Sequence, residues 1–150
     1  MKSYAPWFLA RLFLGLIFVY AGFTKLVNPV ENFQAVLAAY RLIPYAVVPA
    51  LAAVSPWIEL VFGTFLILGY GTRWSALALT SCSLIFVALL GWEFAATGRF
   101  PSDCGCFGTG FFRPTVPQIF FMDLANVFIG LRLFLWKNHP LSLDRWLNPA

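Results

Sequence analysis

Charge is scarce in this chain: of its 150 residues only 11% are Asp, Glu, Lys or Arg. Soluble domains carry about a quarter charged residues, so a water-soluble globular fold is excluded. Histidine is scarcer still, with His139 alone. That leaves no histidine pair for haem and no evident way to complete a closed zinc site, which needs four ligands. The ten Lys and Arg flank apolar segments instead of clustering. A nucleic-acid-binding patch is therefore set aside, and the positive groups read as headgroup anchors in a lipid bilayer.

What fills the chain instead is apolar: 61% of the residues are hydrophobic and 19% aromatic. A helix rising about 1.5 Å per residue needs about 20 residues to cross hydrocarbon. The sequence has room for four such spans, at about 7–27, 49–68, 74–96 and 117–136, with a loop at 97–116. The expectation is an all-α integral membrane protein, a four-transmembrane-helix bundle forming one membrane domain over 1–150. The opening apolar run is too long for a signal-peptide core and is expected to remain as the first helix.

Arg11 and Lys25 stand near the ends of the first span and are expected to snorkel. Gly15 and Gly22, with Ala10 and Ala21, offer surfaces for close helix packing. Residues 30–43 place Phe33, Val36, Leu37 and Tyr40 at helical spacing among Glu31, Gln34 and Arg41, which predicts an interfacial helix. Pro56 predicts a kink near Ser55 in the second span. Gly69-Tyr70-Gly71-Thr72 is a tight turn that sends the third span back antiparallel. Alternation then puts six of the ten positive side chains on the side of the termini and four on the side of the 97–116 loop. By the positive-inside rule the termini face the cytoplasm, and the loop faces the periplasm or exterior of a bacterial inner membrane.

Ionisable groups inside spans are costly and need a partner or a role. Glu59 lies roughly 15 Å into the second span at the helical rise, and is expected to be a protonated donor to a backbone carbonyl freed by Pro56. Lys25, Glu93 and Asp123, the last with Asn126 one turn further along, all fall toward the loop side and are expected to meet beneath it. Two readings stand for them: inter-helix pairs that fix the register, or a proton relay and charge that tunes nearby thiolates. Cys82, among Thr80, Ser81 and Ser83, reads as a small packing residue.

The loop holds Asp103-Cys104-Gly105-Cys106-Phe107-Gly108-Thr109-Gly110. A disulfide between Cys104 and Cys106 would close a small strained ring, and strain makes a disulfide a better oxidant and exchange partner. Gly105 gives the backbone freedom for that closure. Arg99 and Arg113 favour the thiolates, while Asp103 opposes them. The pair reads as a thiol–disulfide oxidoreductase centre; the alternative chemistry is a soft metal such as Cu(I). Trp7, Trp57, Trp74, Trp92 and Trp136 read as an interfacial belt. No cofactor is required by any motif, and quinone is the one that the aromatic content permits.

Several stretches resemble a known family. Ala10-Arg11-Leu12-Phe13-Leu14-Gly15 through Ala21-Gly22-Phe23-Thr24-Lys25-Leu26 is similar to the opening of DoxX-type proteins. Pro56-Trp57-Ile58-Glu59-Leu60-Val61-Phe62-Gly63 and Leu68-Gly69-Tyr70-Gly71-Thr72-Arg73 resemble their second span. Cys104-Gly105-Cys106-Phe107-Gly108 is similar to the loop of the MauE branch, the methylamine-utilisation membrane proteins. The resemblance implies a bundle similar in general plan to vitamin K epoxide reductase-like proteins. It also implies an exported thioredoxin-like partner and a part in disulfide formation in an exported dehydrogenase. The chain departs from the vitamin K epoxide reductase pattern in having Cys-X-Cys for Cys-X-X-Cys and no evident second cysteine pair. The broader DoxX resemblance allows another reading, a non-catalytic subunit or assembly factor in a membrane complex.

Overall fold

The computed structural model describes residues 5–101 and 114–135, and these are helical throughout apart from short turns. Helix α1 spans Ala5–Val27, α2 spans Val30–Ala38, a 3-10 turn at Tyr45–Val47 leads into α3 at Val48–Leu68, α4 spans Thr72–Thr97 and α5 spans Val116–Leu135. Four of them, α1, α3, α4 and α5, are long and apolar enough to cross a membrane. The protein is thus an all-α, four-span membrane bundle with no strand among the described residues.

Local chemistry sets the helix limits. Pro49 falls in the first turn of α3, where a missing N–H removes no helical bond. That helix closes when Tyr70 N–H bonds the Phe65 carbonyl and Gly69 N–H bonds that of Leu66. This double closure needs a left-handed residue, and Gly69 supplies it at φ 73°. α4 can therefore start three residues later and run back beside α3.

α1 pairs most extensively with α3, and α4 with α5. The α1–α3 seam is tight because Gly15 faces Gly63 and Gly22 faces Pro56 and Leu60. A methyl at Gly22 would lie 2.7 Å from the Pro56 carbonyl oxygen and 2.8 Å from the Leu60 nitrogen, both backbone atoms. Along α3 the interior stripe is Val48, Ala52, Pro56, Glu59, Gly63 and Leu66, at the three- and four-residue steps of one helical face. α3 continues as one helix through Pro56.

Two apolar layers form the core of the bundle. Leu14, Phe18, Leu66, Ala76, Leu79 and Leu133 fill the end where α3 turns into α4, and half-buried Cys82 packs against them. Ala21, Tyr40, Leu90, Val116 and Ile119 fill the opposite end, where α4 ends and α5 begins. α2 ends at Ala38, shorter than the sequence predicts, and it lays Phe33 and Leu37 on Val48 and Ala52 of α3. Its apolar face is thereby covered by protein. Outward-facing side chains are large and apolar, including Phe13, Trp74, Phe121 and Phe128. Trp57 also points outward, but from the middle of α3 and not from a span end.

A buried polar layer as candidate functional site

Between the two apolar layers lies a polar one. Lys25 of α1, Glu59 of α3, Ser83 of α4 and Asp123 with Asn126 of α5 are all buried and line one common cavity. Lys25 Nζ donates to both carboxylate oxygens of Glu59, each at 2.7 Å. The side chains are 2% and 3% exposed, so the pair is sealed from outside.

Helix geometry explains why a lysine two residues from the end of α1 meets a glutamate in the middle of α3. Each Cα–Cβ bond tilts toward its own helix N-terminus. In antiparallel neighbours these tilts converge, so Lys25 reaches back and Glu59 reaches toward the same level, beside Gly22. With no side chain there, the two backbones approach closely enough for a short, two-pronged bond. Rings close over the ammonium: Lys25 Nζ lies 5.1 Å from the centroid of Phe33 and 5.7 Å from that of Phe86. Both distances are within cation–π range. α2 therefore serves as a cover that brings Phe33 over the lysine.

On the other side of the layer, Ser83 Oγ donates to Asp123 Oδ1 at 3.1 Å, and Asn126 Nδ2 lies 3.4 Å from the same oxygen. The α4–α5 seam is close here too, since a methyl at Gly130 would overlap the Thr80 hydroxyl.

The sequence-based expectations meet this geometry unevenly. Lys25 and Asp123 share the layer, but Glu93 stays out of it, half-exposed and ten residues beyond Ser83 toward the loop. Glu59, expected to bond a carbonyl freed by Pro56, instead takes Lys25. Neither Lys25 nor Arg11 snorkels: they are 6% and 3% exposed, and the Arg11 guanidinium sits 5.3 Å from the Phe8 ring. Arg99 is exposed in the turn after α4, where Thr97 Oγ1 donates to its carbonyl. Ser83 and the pairing of Lys25 with Glu59 escape the sequence reading. A helix rotation that put Ser83 and Glu59 on inward stripes was the available signal. Asp103, Cys104, Gly105, Cys106 and Arg113 lie outside the described residues. No group of three or more metal-ligating side chains is found among the described residues.

Comparison with known proteins agrees with this architecture. The family described as methylamine utilisation protein MauE matches residues 2–137. The chain is similar to the methylamine utilization protein MauE of Paracoccus denitrificans, with 34% identity over 123 residues. Those residues are 82% of this chain but 65% of the relative, so the chain spans just under two thirds of that protein's length. No solved structure matches. The matched stretch takes in all four apolar helices, the layer of Lys25, Glu59 and Asp123, and the Cys104-Gly105-Cys106 loop; the chain belongs to the MauE family.

Proposed function

We propose that this chain is a membrane thiol–disulfide redox protein. Cys104 and Cys106 exchange electrons with an exported thioredoxin-like protein and so support disulfide formation in an exported protein of methylamine utilisation. The observation that carries the reading is the Cys104-Gly105-Cys106 string in the connection between two membrane-spanning helices, α4 and α5, inside the family match. Two cysteines one residue apart, when joined as a disulfide, can pass that disulfide on by exchange. A thiolate of the partner attacks one sulfur, a mixed disulfide forms, and the second partner thiolate releases the Cys104–Cys106 dithiol. The partner loses two electrons and two protons, and Cys104 and Cys106 gain them. A quinone in the bilayer is the class of carrier that takes up two electrons and two protons and regenerates the disulfide.

Compartment follows from chemistry. Disulfides persist outside the cytosol, which favours an orientation with the cysteine loop in the periplasm and the termini in the cytoplasm, as the distribution of Lys and Arg also does.

The test is capture. With Cys104→Ser or Cys106→Ser, the remaining cysteine should hold the partner as a mixed disulfide that runs as a larger band on non-reducing gels and disappears on reduction. A Cys104→Ser/Cys106→Ser variant that supports maturation of exported disulfide proteins as well as wild type does would overturn the redox reading. It would leave a non-catalytic membrane subunit in its place.

A further inference from the structure

A cavity of about 30 Å³ lies in the polar layer; Lys25, Glu59, Ser83, Asp123 and Asn126 line one part of it, and apolar side chains of α1, α4 and α5, Phe18, Phe86 and Ile119 among them, line the rest. A water needs roughly 10–15 Å³ of such volume and two to four polar partners. The cavity is thus of water size, far below the several hundred Å³ of a site for an organic ligand such as a quinone. Oδ1 of Asn126 is buried with no hydrogen-bond partner, in a side chain 2% exposed. Buried amide oxygens are seldom left so. A donor is called for at that point, and the adjoining cavity has room for a water that would supply one.

The charges around the cavity do not balance. Facing Asp123 among the described residues are Lys25 from α1, Glu59 from α3, Ser83 and the neighbouring thiol of Cys82 from α4, and Asn126 from its own helix. They supply one cation for two acids. Glu59 already takes Lys25 through both oxygens. An ionised Asp123 would leave a net negative charge at a depth where uncompensated charge is costly.

We infer that the layer is a hydrated proton site. Asp123 is its carboxylic acid, and it exchanges one proton with water held against Asn126 Oδ1, Ser83 and the Lys25–Glu59 pair. When the proton leaves, Asp123 becomes a carboxylate and the water a hydronium ion; its return restores the acid. The site does not depend on the cysteine chemistry, and the experiment reads it without any redox activity.

Infrared spectra of the full chain in lipid vesicles at neutral pH, recorded in H2O and D2O, test it through the C=O band of neutral carboxyl groups. Wild type should show such a band, moved by carbon-13 labelling of aspartate and shifted again in D2O. The variants follow from the charge count. Asp123→Asn should lose the band. Glu59→Gln should lose it too, because one cation then faces one acid and Lys25 is freed for Asp123. Lys25→Gln should gain a second band, from Glu59. A wild-type spectrum with no aspartic acid band overturns the proposal, and so does a band that survives in Asp123→Asn or in Glu59→Gln. A band that does not shift in D2O overturns the exchange with water. The isotope arm uses the wild-type chain, so a variant that fails to fold leaves the test standing.

Discussion

Lys25 and Glu59 are matched so closely that removing one should cost more than removing both. Breaking a buried ion pair on one side typically costs about 3–5 kcal/mol, whereas exchanging both members for apolar groups of similar volume is often neutral or better. Lys25→Met should therefore lower the unfolding midpoint in detergent markedly, and the double variant Lys25→Met/Glu59→Leu should recover most of the loss. Thermal unfolding followed by circular dichroism checks it. Equal losses in the single and double variants would mean that the pair contributes through packing alone. Phe33 belongs to the same argument. Its ring covers the ammonium from α2, so Phe33→Leu, which keeps most of the apolar volume, should cost about 0.5–2 kcal/mol through the lost cation–π contact. That cost should vanish in the background of the double variant.

Helix α1 is held to α3 by absence of side chains as much as by their presence. Gly22 is pressed against backbone on α3, which cannot move aside as a rotamer can. Gly22→Ala should cost about 1–3 kcal/mol as the seam is forced apart. Gly91 offers the opposite case within α4, because a methyl there meets only the Phe120 ring, at 3.9 Å. Gly91→Ala should be neutral, or stabilising by up to about 1 kcal/mol through helix propensity. Comparing both variants in the same detergent separates seam packing from a general intolerance of change. The seam also bears on the site: opening it at Gly22 lengthens the Lys25–Glu59 bond, so Gly22→Ala should disturb the polar layer as well as the stability.

On the scale of the whole bundle, Cys82 belongs to the spans. Cys82 is half-buried in the middle of α4 against the Leu14 and Phe18 layer. Fifteen residues separate it from the end of that helix, about 22 Å at the helical rise. A membrane-impermeant maleimide added to intact spheroplasts after mild reduction should label Cys104 and Cys106 and leave Cys82 untouched. Labelling of the pair only in inverted vesicles would reverse the proposed orientation. Among the described residues the outward faces of the spans carry many Phe, Leu and Trp side chains, as surfaces turned to lipid do.

Much of this was legible because a bilayer imposes length. Uninterrupted apolar runs of about 20 residues have few other structures open to them, so the four spans, the Gly69 turn and the antiparallel order follow from the chain alone. So does the suspicion that Glu59, Asp123 and Asn126 matter, since polar groups are costly there. Which of them meet was not legible. In a membrane both faces of a helix are apolar, so hydrophobic periodicity does not reveal the inward face of α3 or α4. Small and polar residues such as Gly63, Ser75 and Ser83 mark it instead. Lys25 stands near a helix end, as a headgroup anchor would, and only the packing of Gly22 against Pro56 and the cover of α2 turn it inward to Glu59. Rotation and register are set by contacts between helices, not within them, and so the sequence by itself determined the spans, while the tertiary structure alone decided which buried charges share a layer.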